Sequence, residues 1–125
     1  MTALSIEPIG VVRTPIESSS DAPTQGLEEG LEGELVFEEG YLDGLDGLEE
    51  GTTVDVLWYA HDADRSVLRV RDDTRGVFST RSPARSNPIC VSPCKILATD
   101  PPRIRVRGMD MVDGSPLIDV KAALR

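Results

Sequence analysis

The sequence predicts a mainly β, single-domain protein with short helical turns. Its 125 residues suit one domain. Its 11 glycines and 9 prolines fall between short runs in which β-branched residues alternate with polar ones. Alternation of that period puts one set of side chains on an inner face and the next set in water, the pattern of a strand. No internal repeat and no shift in composition marks a second domain, so residues 1–125 are expected to form one unit.

Taken in order, Ile6–Arg13 is the first predicted strand. Residues 14–32 follow as a long polar segment with Ser18 to Ser20, Pro23 and Gly26, and a loop of that length is expected to be functional or disordered. Gly33–Phe37 is the second strand. Over residues 38–51, Tyr41, Leu42, Leu45 and Leu48 recur at helical intervals, but each interspersed glycine costs about 1 kcal/mol relative to alanine, so one or two loose turns are expected. Thr53–Tyr59 and Val67–Arg71 are the next strands. Trp58 and Tyr59 face opposite sides, which assigns one to the core and the other to a stacking surface. Ile89–Leu97 and Arg103–Met111 complete the clear strands. In the latter, Arg103, Arg105 and Arg107 share a face that can meet solvent or phosphate, while Ile104 and Val106 pack inward. Asp113-Gly114-Ser115-Pro116 reads as the tight turn of a hairpin leading into Leu117–Lys121.

Charge is divided unevenly along the chain. The formal net charge is −9, yet residues 1–60 hold fourteen acids and one base, Arg13, whereas residues 61–125 hold eight acids and twelve bases. Between Arg65 and Arg107 ten bases stand against three acids, so an anionic partner is expected there despite the acidic whole. Only two of the bases are lysine, and the acid-rich first half suits a halophilic cytoplasm, where salt screens self-repulsion. No run approaches the roughly 18 apolar residues of a membrane span. The first twenty residues lack a cationic start followed by an apolar block. A cytoplasmic protein with no membrane partner is therefore expected.

Familiar site patterns are absent. No GxGxxG follows a strand and no P-loop occurs, which removes those modes of nucleotide binding. The single histidine, His61, builds no zinc cluster. Cys90 and Cys94 have no second pair, so they read as small buried strand residues, with neither metal nor disulfide expected. The unusual stretch is RGVFSTRSPARSNPI, residues 75–89. Pro83 and Pro88 fix φ and remove donors, which excludes helix and central strand and leaves a rigid loop presenting Arg81, Ser82, Arg85 and Asn87. Donors held rigidly lose little entropy on binding, so such a loop suits small-molecule or nucleotide recognition.

Together these segments resemble the TsaA-like family, the tRNA N6-threonylcarbamoyladenosine methyltransferases. The resemblance runs in order through Ile9-Gly10-Val11-Val12-Arg13-Thr14-Pro15, Pro23-Thr24-Gln25, Trp58 to Arg65, the Arg75 to Ile89 loop, and Gly108-Met109-Asp110-Met111-Val112-Asp113-Gly114-Ser115-Pro116. The chain departs from the family's usual Arg-Pro-Asn-Pro-Ile-Gly at Ser86 and Cys90. It also lacks the family's Lys-Pro-Tyr after the Asp-Ile/Val unit, having Lys121-Ala122-Ala123 instead.

The resemblance implies a small β-barrel-like fold and a homodimer with S-adenosylmethionine near the subunit contact. It implies cofactor contacts from Pro23, Thr24 and Gln25, from His61 and Asp62, from Arg81, from the backbone near Val91, and from Asp113, Gly114, Ser115 and Pro116. The substrate it implies is tRNA, and Tyr59, Arg85 and Asn87 are the expected substrate contacts, Arg85 through a forked guanidinium suited to carboxylate or phosphate. A sulfonium donor needs no metal, but the acceptor nitrogen beside a carbonyl is a weak nucleophile that a general base would help. His61, Asp62, Asp113 and Asp119 all remain open for that role. Two functions follow: a tRNA methyltransferase, or a non-catalytic module that holds S-adenosylmethionine or a nucleotide.

Overall fold

A computed structural model describes residues 2–17 and 30–124. Six strands close into an antiparallel barrel: β1 (Gly10–Arg13), β2 (Leu31–Phe37), β3 (Thr53–Tyr59), β6 (Ile89–Asp100), β7 (Arg103–Met109) and β8 (Pro116–Ala122). They follow one another around the barrel as β1-β2-β7-β6-β3-β8. A separate two-stranded ribbon, β4 (Arg69–Val70) with β5 (Arg75–Gly76), sits in the connection between β3 and β6. Alternation decides what the barrel encloses. Val54, Val56 and Trp58 of β3 turn inward, as do Ile104 and Val106 of β7, and they pack with Val12, Leu35, Ile96, Met109 and Leu117.

The predicted strands are present with altered limits. Ile6–Arg13 is laddered only over Gly10–Arg13, because Pro8 offers no N–H and the first bond into β8 is made by Ile9, to Leu117 O at 2.8 Å. Arg103–Met111 stops at Met109, just after Gly108 takes a φ of +109° that extended backbone does not adopt. Val67–Arg71 shrinks to two residues, and its partner β5 was not foreseen. The turn between them, Arg71 to Thr74, places Arg71, Asp72 and Asp73 at φ near +60° without a single glycine, so the Asn-Gly or Asp-Gly signal of a tight hairpin is missing. The loose turns of residues 38–51 appear as a 3-10 helix over Glu39–Leu45, its Leu45 capping the core.

One expectation is corrected. Asp113-Gly114 does form a tight turn, with Gly114 at φ +85° and Ser115 N donating to Val112 O at 3.1 Å. It closes no hairpin, however: β7 lies between β2 and β6, while β8 lies between β1 and β3. A turn motif reports local geometry only, and barrel closure decides which strands it joins. The arginine face of β7 meets solvent, as expected, with its guanidinium groups in surface ion pairs across the ladder. Arg103 pairs with Glu34 at 3.2 Å, and Arg105 and Arg107 pair with Glu32 at 3.0 and 3.4 Å across the β2–β7 ladder.

Candidate functional site

Antiparallel pairing all round the barrel sends three connections to the same end: β1–β2, β3–β6 and β7–β8. Every cofactor and substrate contact expected from sequence lies on these connections or on the strand ends beside them. Pro23, Thr24 and Gln25 belong to β1–β2 but lie outside the described residues.

A cavity of about 230 Å³ opens at this end. Trp58 and Ala60 form its floor at the end of β3, Ser82, Pro83 and Ala84 its loop wall, and Asp62, Asp64 and Asp110 bring three carboxylates to it. The rigid loop is braced from within. Arg85 Nη2 donates to Val77 O at 2.7 Å and Thr80 O at 3.1 Å, and Thr80 Oγ1 donates to Val77 O at 2.8 Å. Arg85, expected to contact substrate, thus has a guanidinium nitrogen committed to the loop's own carbonyls. Arg81 is exposed and donates to Val91 O at 2.9 Å, which joins two of the expected cofactor positions.

Below the cavity runs a polar relay whose direction is fixed while Asp110 is ionised. The indole Nε1–H of Trp58 can only donate, and it donates to Ser92 Oγ at 2.9 Å. The Ser92 hydroxyl then donates its own proton to Asp110 Oδ1 at 2.6 Å. Burial pushes the Asp110 carboxyl above the usual carboxylate range, and the Ser92 hydrogen bond, the hydrogen bond from its own backbone N–H and the Arg81 charge pull it back only in part. Asp64 goes the other way: hydrogen bonds from the Ser66 hydroxyl at 2.6 Å and the Ser66 N–H at 2.9 Å hold it below the usual range. One cavity therefore holds acids of opposite tendency.

Asp110 and Ser92 were not among the sequence candidates. Ser92 carried a usable signal, since it sits in phase with Cys94 and Ile96 on the inward face of β6, and a hydroxyl there must find a partner. Asp110 carried none of its own, because only the fold brings residue 110 beneath residue 92.

The other candidates are distributed as follows. His61 and Asp62 occupy an exposed turn directly after β3. Asp113 accepts from Thr14 N at 3.1 Å and lies 3.6 Å from Arg13 Nη1, which ties β7–β8 to the start of β1–β2. Ser115 is fully buried with its hydroxyl on Val112 O at 2.6 Å, and Pro116 opens β8. Tyr59 and Asn87 line a separate groove with Arg65, Ile6, Ile89 and Ile118. Asp119 lies in a third depression, with Ile9, Tyr41 and Leu48, so it does not share a cavity with Asp62.

The sequence matches the family described as the tRNA-methyltransferase O N-terminal domain over residues 11–125. A probable S-adenosyl-L-methionine-binding protein of Halobacterium salinarum is 50% identical, over 94% of this chain and 96% of its own length. A probable S-adenosyl-L-methionine-binding protein of Methanothermobacter thermautotrophicus is 46% identical, over 94% and 88%. The crystal structure of TrmO from Pseudomonas aeruginosa superposes with a TM-score of 0.82 at 29% identity and covers 98% of this chain. The chain spans 57% of the length of that solved protein.

Proposed function

The chain belongs to the tRNA-methyltransferase O N-terminal domain family, and from that membership we propose that it transfers the methyl group of S-adenosylmethionine to the N6 nitrogen of threonylcarbamoyladenosine beside the tRNA anticodon. The observation that carries this reading is the cavity at the barrel mouth, where the exposed carboxylates of Asp62 and Asp64 lie beside the Trp58 ring. Carboxylates beside an aromatic face suit a ligand bearing sulfonium and ammonium charge. The cofactor supplies a methyl carbon on an activated leaving group, so the protein's task is to align donor and acceptor, which can supply about 7 to 11 kcal/mol of the barrier. Arg81 and the Asp113–Pro116 turn are the further cofactor contacts in this reading, and Tyr59 and Asn87 hold the nucleotide. A homodimer joins two barrels near the cofactor.

The test is incubation of the protein with methyl-tritiated S-adenosylmethionine and tRNA that carries, or lacks, the threonylcarbamoyl group, followed by mass spectrometry of the nucleosides. Methylation confined to the threonylcarbamoylated tRNA is expected. A second reading, a non-catalytic S-adenosylmethionine-binding module, is favoured by the names of the two archaeal relatives, which specify binding alone. Cofactor binding without transfer to any tRNA would establish it.

A further inference from the structure

Methyl transfer to an amide-like nitrogen leaves a proton to be removed, and the sequence candidates for that task do not single out an acceptor. Asp119 lies outside the cavity, and Asp113 is held by Arg13 and Thr14. His61 stands on an exposed turn. Asp110 is the carboxylate that the fold half-buries at the cavity and holds through the Ser92 relay. While Asp110 is ionised it can only accept, so with the Trp58 N–H donating to Ser92 Oγ the Ser92 proton goes to Asp110 Oδ1 and the carboxylate is oriented as an acceptor. Besides Ser92, its own backbone N–H bonds the carboxyl group.

Resting on the methyl-transfer reading above, we propose that Asp110 is the proton acceptor of the reaction, with Ser92 and Trp58 as its positioning residues. As the acceptor nitrogen forms its bond to the methyl carbon, the carbon–sulfur bond breaks and its electron pair returns to sulfur, giving a neutral thioether. The N6 proton passes to the Asp110 carboxylate, and the resulting carboxylic acid loses it to water once product departs. Burial suits the group to this task, since a carboxylate raised toward the working pH is the better base.

The charged and titratable neighbours are Asp62 and Asp64 across the cavity, Arg81 on the loop, and the Cys90 and Cys94 thiols of β6. Burial raises those thiols to about 11 and about 12, so they stay neutral across the range in which Asp110 titrates.

Three proteins test the proposal: the unaltered chain, Asp110→Asn and Ser92→Ala. Each is measured for S-adenosylmethionine affinity, for single-turnover transfer to threonylcarbamoylated tRNA between pH 5 and 9 (a range of about four units around neutrality), and for thermal stability over the same range. Asp110→Asn is expected to hold cofactor within a few-fold and to transfer at least about 100-fold more slowly, with the acidic limb of the pH profile gone. It should also melt higher than the unaltered chain at neutral pH, because a charge no longer has to be buried. That advantage should shrink as pH falls through the raised folded pKa, where Asp110 takes up its proton. Ser92→Ala should move the acidic limb to higher pH, since the hydrogen bond it removes favours the ionised form.

Near-normal transfer by Asp110→Asn, a loss of cofactor affinity that accounts for its slow rate, or an unmoved limb in Ser92→Ala overturns the assignment alone. Absence of transfer by the unaltered chain overturns the methyl-transfer reading as well.

Discussion

Arg81 contributes one hydrogen bond, to the carbonyl of Val91, from an exposed position, so its removal takes little from the fold. Arg81→Ala is therefore expected to leave circular dichroism and melting close to the unaltered protein while weakening S-adenosylmethionine binding by at least about tenfold, the loss of a charge-assisted contact. Calorimetric titration beside a melting curve decides it, and unchanged affinity would remove Arg81 from the site. The two cysteines make the opposite case. Desolvation by burial raises Cys90 to about 11 and Cys94 to about 12, and the thiolate is the reactive species. Iodoacetamide at pH 8, about one unit above neutrality, should modify neither thiol of the folded protein appreciably and both after unfolding. Rapid native labelling of Cys90 would show that its surroundings open.

At the scale of elements, β2 holds the barrel together by close approach. A side chain on Gly33 would meet the backbone carbonyl of Arg13 and the Met109 sulfur, one rigid and one buried. Gly33→Ala should cost about 1 to 3 kcal/mol, the usual penalty of overpacking, read from denaturant midpoints at constant m-value. The same strand carries Glu32, whose carboxyl is held below its ordinary 4.5 by hydrogen bonds from Arg105 and then Arg107. A depressed acid of this kind adds stability above its unfolded pKa and loses it as pH falls through the folded one. The pair is solvent-exposed, so Glu32→Gln should flatten the acid limb of stability in low salt and change little in molar salt.

Across the whole molecule the arginines are concentrated in one connection. Glu38, Glu39, Asp43, Asp46, Glu49 and Glu50 lie in the β2–β3 connection with no base among them, while Arg65, Arg69, Arg71, Arg75, Arg81 and Arg85 lie in β3–β6 beside Asp62, Asp64, Asp72 and Asp73. Antiparallel closure sends those two connections to opposite ends. The ten bases between Arg65 and Arg107 count for less than their number suggests, since Arg103, Arg105 and Arg107 share the carboxylates of Glu32 and Glu34, and Arg69 pairs with Asp73 at 2.8 Å. Self-repulsion of the acidic end reaches about 30 Å in 0.01 M salt and about 3 Å in 1 M. Melting temperature is expected to climb steeply from low to molar KCl. Affinity for tRNA should fall with a slope shallower than ten basic residues would give, because several are already paired. A flat melting temperature refutes the first half. Loss of all binding at the salt of greatest stability refutes the second.

Strand identity was written locally, because the barrel's faces differ in polarity at every second residue: Thr53–Tyr59 needed nothing beyond its own alternation. The rigid loop was equally legible, since Pro83 and Pro88 exclude other structures wherever they occur. Pairing was not legible. The Asp113-Gly114 turn looks the same in a hairpin and in a crossover, and only closure of six strands settles that β8 lies against β1 and β3. The cavity belongs to that second class. Ser92 is unremarkable in sequence, Trp58 and Asp110 stand there in separate motifs, and their meaning as a relay comes from three strands meeting at one mouth. Local sequence fixes backbone propensity and which face a side chain takes. A proton relay depends on distances between residues far apart in the chain, and those exist only once tertiary pairing has brought the strands together.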